Sequence, residues 1–209
     1  MTQTVLVADD HPLFRQALVL AVATALPGAR VVEAGTLAAA AEAAAATPDL
    51  SLITLDLKMP GATGYSGIAL LHAECPRVPI LVVSATDGAT VADDVRAFGA
   101  VGFLSKDADL PAIEAAIRTA AATVPDAGEA PSRTGVDTVR RTVAGLTPTQ
   151  LKVLLAVLAG KLNKQIAWDL GMSEATVKAH MTAIMRKLDV QNRTQAALAA
   201  RSLGLDIGV

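Results

Sequence analysis

Cysteine is almost missing from this 209-residue chain: Cys75 stands alone, which excludes an internal disulfide and fits a reducing compartment. Aromatic residues make up only 2%, while hydrophobic residues reach 52% and mean hydropathy is +0.45, a balance that would suit a membrane protein. Long apolar runs are missing too. The best candidate, Ala17 to Leu26, is about half of the ~20 apolar residues that a spanning helix needs, which excludes a helical membrane span. The opening MTQTVLVADD has no basic segment and meets an acidic pair at once, so no signal peptide is expected and the cytoplasm is the expected location. Basic charge is scarce in the first part of the chain, where 7 Lys and Arg face 13 Asp and Glu over residues 1–122. The balance reverses over residues 146–209, with 8 against 4, and residues 123–145 hold 3 of each. An acidic module joined to a basic one follows, and the basic one suits a polyanion. Opposite charge also allows the acidic module to dock on the basic one.

What is present organises the chain. Thr123–Arg141, rich in Pro, Gly, Ser, Thr and charge, reads as a flexible linker. This gives domains at 1–122 and 146–209 with a linker at 123–145. In the first, five apolar runs (Thr4–Ala8, Arg30–Glu33, Leu50–Leu55, Ile80–Ser84, Val101–Leu104) alternate with helical patterns. Those helices are expected from Pro12 onward and over Leu37–Ala46, Gly67–Glu74, Thr90–Phe98 and Leu110–Ala122. Such alternation predicts an α/β fold, a doubly wound parallel sheet of five strands, with its site at the carboxyl ends of the strands. Asp9 and Asp10 follow the first run, Asp56 ends the third, Ser84 ends the fourth, and Lys106 follows the fifth, so all five meet at one edge. Three carboxylates held together there call for a cation, and hard oxygen ligands suit Mg²⁺. Beside Mg²⁺ a carboxylate can accept a phosphoryl group, with a hydroxyl and an ammonium to hold the new phosphate oxygens.

The motifs VLVADDH, LDLKMPG, VVSA and GFLSKD, in this order and spacing, resemble the receiver domain of bacterial two-component response regulators over residues 4–122. The resemblance implies Asp56 as phosphoacceptor, Asp9, Asp10 and Asp56 with the Lys58 backbone carbonyl as the Mg²⁺ ligands, Ser84 as switch hydroxyl, Lys106 as phosphate counter-ion and Phe103 as the aromatic that changes rotamer. One departure stands out. The glycine expected eight residues after the phosphoacceptor is Gly64, yet the next apolar pattern starts late, as if the loop were about three residues longer and Gly67 opened the helix. That loop borders the phosphorylation pocket and bears on phosphate access, lifetime and kinase choice.

In the second module, Thr147, Pro148 and Gln150 form an N-cap, first helical residue and capping box, with Leu151, Leu154, Leu155 and Leu158 as a buried stripe. A helix over Asn163–Leu170, a turn at Gly171–Met172 and a helix capped by Ser173 make an all-α helix-turn-helix pattern. At 100° per residue, Val177, Met181, Ile184 and Leu188 face inward, while Lys178, Ala179, Thr182 and Arg186 lie opposite and suit the major groove. Lys152, Lys161, Lys164, Lys187 and Arg193 are candidates for phosphate contacts. GKLNKQIAWDLGMSEATVKAHMTAIMRKLDVQNRTQAA resembles the LuxR-type DNA-binding domain, and the pair of modules resembles the NarL/FixJ response regulators. By resemblance Lys178, Ala179 and Thr182 read bases. The implied partners are a sensor histidine kinase, double-stranded promoter DNA, RNA polymerase and a second copy of the chain when active. His11 reads as a helix-start residue, His72 as solvated, His180 as structural and Trp168 as core.

Two other functions compete with a phosphorylation-switched transcription regulator. A Mg²⁺ phosphohydrolase of the haloacid dehalogenase type commonly carries an acid two residues after the nucleophile, where Lys58 stands here, so no enzymatic activity is expected. The other is a phosphate-independent DNA-binding protein with the receiver as a fixed dimerisation module, and the intact set of five polar residues argues against it.

Overall fold

The buried runs settle into a sheet whose centre is apolar on both faces. In the computed structural model, which describes residues 3–85, 89–124, 142–143, 145–202 and 204–205, the strands are β1 (Thr4–Ala8), β2 (Arg30–Ala34), β3 (Leu50–Leu55), β4 (Ile80–Ser84) and β5 (Gly102–Ser105). They are parallel in the order β2-β1-β3-β4-β5, the doubly wound order expected. Every residue of β1 and β4 is buried, as a strand covered on both faces requires. Helices α1 (Pro12–Ala25) and α5 (Leu110–Ala122) cover one face through Leu18, Val22, Ile113 and Ile117. Helices α2 (Leu37–Ala46), α3 (Ser66–Glu74) and α4 (Ala89–Ala97) line the other. Thr36 and Asp109 cap α2 and α5 by accepting the amides of Ala39 and Ala112.

The second module is helical: α6 (Pro148–Leu158), α7 (Asn163–Asp169), α8 (Glu174–Lys187) and α9 (Arg193–Ser202). The capping box at Thr147 and Gln150 forms as expected, and Ser173 caps α8 through the amide of Thr176. Val177, Met181, Ile184 and Leu188 are buried. Most of the expected linker, residues 125–141, lies outside the described residues.

The two modules meet through α3 and α6, and the ammonium of Lys152 on α6 lies 2.7 Å from Glu74 on α3. The acidic module therefore docks on α6, and the polar face of α8, where opposite charge also allowed docking, stays open. The reason is apolar. Leu155 and Ala156 of α6 join the buried cluster that contains Leu70 and Leu71 of α3, whereas Lys178, Ala179, Thr182 and Arg186 offer no large apolar side chain. A cleft of about 830 Å³ opens beside this contact, lined by small residues such as Ala38, Ala41 and Ala159.

Candidate functional site

Sheet register brings the acidic residues together. Ala8 pairs with Leu55, so the residues that follow, Asp9 and Asp56, leave neighbouring strands side by side. The backbone locks both: Asp9 donates its amide to the Ala34 carbonyl (3.0 Å), and Asp56 donates to that of Ala8 (2.9 Å). Ser84 pairs with Ser105 at the ends of β4 and β5, and Lys106 donates its amide to the Ser84 carbonyl (3.1 Å). Four of the five expected groups, Asp9, Asp10, Asp56 and Lys106, converge in contact, and Ser84 is buried at the adjoining strand end.

Asp9 and Asp56 are 0% and 2% exposed and share one cation. The Lys106 ammonium lies 2.6 Å from Asp9 Oδ2 and 2.7 Å from Asp56 Oδ2, with the Phe14 ring centroid 4.7 Å away. Burial pulls the Lys106 pKa down, but the hydrogen bonds its ammonium donates to Asp56 and Asp9, with their negative charge, outweigh it and hold the pKa above the ordinary lysine value. The remaining oxygens meet backbone and imidazole. Asp9 Oδ1 accepts the His11 amide (2.8 Å), Asp56 Oδ1 accepts the Lys58 amide (3.1 Å), and His11 Nδ1 lies 2.7 Å from Asp10 Oδ1. Ligand atoms from Asp9, Asp10, His11 and Asp56 all fall within 4.8 Å of one another, a donor set dominated by hard oxygens that fits a divalent cation. A cavity of about 310 Å³ lined by His11, Leu13, Phe14, Lys58 and Ala85 gives access to Asp56 and Lys106.

Sequence reasoning missed Phe14, the aromatic partner of Lys106, and Arg15, whose guanidinium donates to the Asp9 carbonyl (2.7 Å) and pairs with Glu33 (3.0 Å). Their position one helical turn after Asp10 was the available signal. His11 does start α1, without a side-chain cap. His72, expected to be solvated, is instead half-buried on α3 beneath Gly99, and burial pushes its pKa down. Phe103 is half-buried on β5, opposite Val82. The loop after Asp56 is long, as expected, and α3 starts at Ser66, one residue before Gly67.

The DNA-facing candidates separate into free and engaged groups. Lys178, Ala179, Thr182 and Arg186 are exposed on one side of α8, and Lys164 is exposed on α7. Lys187 is turned inward, with its ammonium donating to the Gly145 carbonyl (2.9 Å) and Gln150 Oε1 (3.0 Å). Arg193 bonds Asn163 Oδ1 (2.9 Å) and the Lys161 carbonyl, and Lys161 pairs with Asp169 (2.7 Å). Trp168, expected in the core, is 87% exposed. Ile166 and Ala167 already fill the inward stripe of the short α7, and the next residue in sequence is rotated away from it.

No helix among the described residues is long and apolar enough to cross a membrane. Residues 5–118 match the response regulator receiver domain, and residues 144–200 match the bacterial regulatory proteins of the luxR family. A glycerol metabolism activator of Pseudomonas putida is 39% identical over 94% of both chains. The nitrate/nitrite response regulator protein NarP of Escherichia coli is 33% identical over 93% of this chain and 92% of its own. The signal receiver domain of a NarL response regulator from Mycobacterium tuberculosis superposes with a TM-score of 0.51 at 35% identity, covering 57% of this chain and 96% of that one. With a matching receiver, a matching LuxR-type module and relatives alike along nearly the whole length, this chain belongs to the NarL-type two-component response regulators, which regulate transcription through a receiver joined to a DNA-binding domain.

Proposed function

We propose that Asp56 is the phosphoacceptor and that its phosphorylation controls DNA binding by the C-terminal module. The observation that carries this reading is the buried Asp9–Lys106–Asp56 arrangement, with Asp56 alone among the carboxylates both buried and bordering the access cavity. An Asp56 oxygen attacks the phosphorus of a phosphohistidine or small acyl phosphate, the bond to the donor breaks, and an aspartyl phosphate forms. Lys106 moves from Asp56 Oδ2 to an oxygen of the new phosphoryl group, and Ser84 and Phe103 serve as switch hydroxyl and switch aromatic. Asp9, Asp10, Asp56 and the Lys58 carbonyl would hold Mg²⁺, which when bound offsets the charge of carboxylates and phosphate.

The receiver spans 1–122, the linker 123–145 and the DNA-binding domain 146–209. Lys178, Ala179 and Thr182 read base edges, Arg186 and Lys164 contact the backbone, and Lys187 and Arg193 act chiefly by shaping the module. A sensor histidine kinase, promoter DNA, RNA polymerase and a second copy of the chain are the partners, in the cytoplasm. The exposed Lys58 in place of an acid disfavours phosphomonoester hydrolysis.

Intact-mass spectrometry after incubation with Mg²⁺ and acetyl phosphate tests the reading, with Asp56→Asn alongside. One base-labile phosphoryl adduct, absent from the variant and accompanied by tighter duplex binding, is expected. A wild-type protein that takes up no phosphoryl group, or an Asp56→Asn protein that does, would overturn it.

A further inference from the structure

The long loop that leaves Asp56 ends at Tyr65, and this residue touches three parts of the molecule at once. Its backbone amide donates to the carbonyl of Gly204, just past α9 (3.0 Å). Its ring lies against the same glycine so closely that a Cβ there would sit 3.0 Å from Tyr65 Cδ2, and Gly204 holds φ at +78°, where glycine is favoured. The hydroxyl donates to Asp94 on α4 (2.9 Å), and the ring stacks on Phe98 at the end of α4, with centroids 5.3 Å apart and planes 27° apart. One side chain therefore joins the phosphorylation loop, α4 and the last turn of the DNA-binding module.

The second attachment between the modules lies at the other end of α3. Tyr65 precedes the first residue of that helix and Glu74, the partner of Lys152, is its last. Nine residues at 1.5 Å each separate the two points by roughly 13 Å. Together with the apolar contact of Leu155 and Ala156 on α3, two points that far apart set the orientation of the C-terminal module. Losing the Tyr65 point leaves the module held through α6 alone.

The geometry points to Tyr65 as the joint through which the state of the phosphorylation loop is transmitted to the DNA-binding module. When the loop after Asp56 rearranges, Tyr65 cannot shift without giving up the Gly204 carbonyl or its seat on Phe98 and Asp94. The module then turns on its remaining attachment, the contact of α6 with α3. The inference rests on Asp56 being the phosphoacceptor, and it locates the transmitting element in the loop that departs from the receiver pattern.

Amide hydrogen exchange on the full chain, read by mass spectrometry over peptides covering residues 62–66 and 200–205, tests it. Mg²⁺ and acetyl phosphate supply the phosphoryl group, and intact mass measures its uptake. In the unphosphorylated state, Gly204→Ala and Tyr65→Ala are expected to speed exchange in these peptides about tenfold or more, with β1 unchanged. Phosphorylation is expected to produce the same rise in the wild type and to add little in either variant. Tyr65→Phe, which keeps the stack but loses the bond to Asp94, is expected to fall between. Normal uptake without a change at residues 200–205 would overturn the inference and leave the proposed function standing. A wild type that takes up no phosphate would overturn that function, and the joint with it. Unaltered protection in unphosphorylated Gly204→Ala would show separately that the Tyr65–Gly204 contact holds nothing.

Discussion

Replacing Lys106 by methionine keeps most of the side-chain volume and removes the one ammonium that lies between two buried carboxylates. At 2.6 and 2.7 Å, each charge pair is worth about 6 kcal/mol of Coulomb energy at an effective dielectric constant of ~20, largely offset by desolvation. What the substitution exposes is the other side of that balance: Asp9 and Asp56, at 0% and 2% exposure, are left facing each other uncompensated. Removing one partner of a buried pair costs about 3–5 kcal/mol, and because Lys106 retains 12% exposure the lower end, about 3 kcal/mol, is expected at neutral pH. The loss should shrink with Mg²⁺, whose charge would compensate the freed carboxylates and which stabilises by about 2.7 kcal/mol at a hundred times its dissociation constant. Urea unfolding at pH 7 followed by circular dichroism, with and without Mg²⁺, measures both. A loss below about 1 kcal/mol, in the range of a surface pair, or a loss indifferent to Mg²⁺, would refute the reasoning.

Lys178→Ala should leave the melting temperature unchanged and cost about 1–3 kcal/mol of discrimination between operator and scrambled duplex by fluorescence anisotropy. Lys187→Ala should do the reverse, lowering stability by about 1 kcal/mol through the lost bonds to Gly145 and Gln150, with a smaller effect on affinity. The lowered pKa of His72 means that the unfolded chain binds its proton first; stability from this residue is complete above the ordinary value of 6.5 and is lost as pH falls below it. The pH dependence of unfolding between 7 and 5 should therefore flatten in His72→Leu. Gly99→Ala, with φ at +102° and a Cβ placed 2.7 Å from the His72 ring, should destabilise by about 1–3 kcal/mol or more by the same urea assay.

Apolar runs specified β1, β3 and β4 residue for residue, because these strands are buried nearly throughout, whereas the limits of the more exposed edge strands β2 and β5 differ by a residue. The convergence of Asp9, Asp56 and Lys106 was legible for the same reason: once the strands and their parallel order are known, the residues after their carboxyl ends must meet. Side chains whose surroundings are set by distant segments were not legible. Trp168 carries a strong prior for burial, but whether a tryptophan on a seven-residue helix is covered depends on neighbours that no local period encodes. His72 failed in the opposite sense, since only the return of the chain at Gly99 encloses it. Docking through α6 in place of α8 was beyond a charge argument, because Leu155 and Ala156 offer burial that the cationic face cannot.

The engagement of four cations within residues 146–209 changes what a duplex would meet there. Of the eight Lys and Arg residues in this span, Lys152, Lys161, Lys187 and Arg193 hold acceptors of the protein itself. Lys164, Lys178, Arg186 and Arg201 are without such partners among the described residues. Each phosphate neutralised expels condensed counterions, so with Lys178 on a base edge the other three free cations correspond to a slope of log affinity against log salt of about −2.7 per protomer, where eight phosphate contacts would give about −7. Binding by a single protomer would then be only modestly weakened by cellular salt, and two protomers would regain the steeper dependence together. Ionic strength thus becomes a gauge of how many copies sit on the duplex.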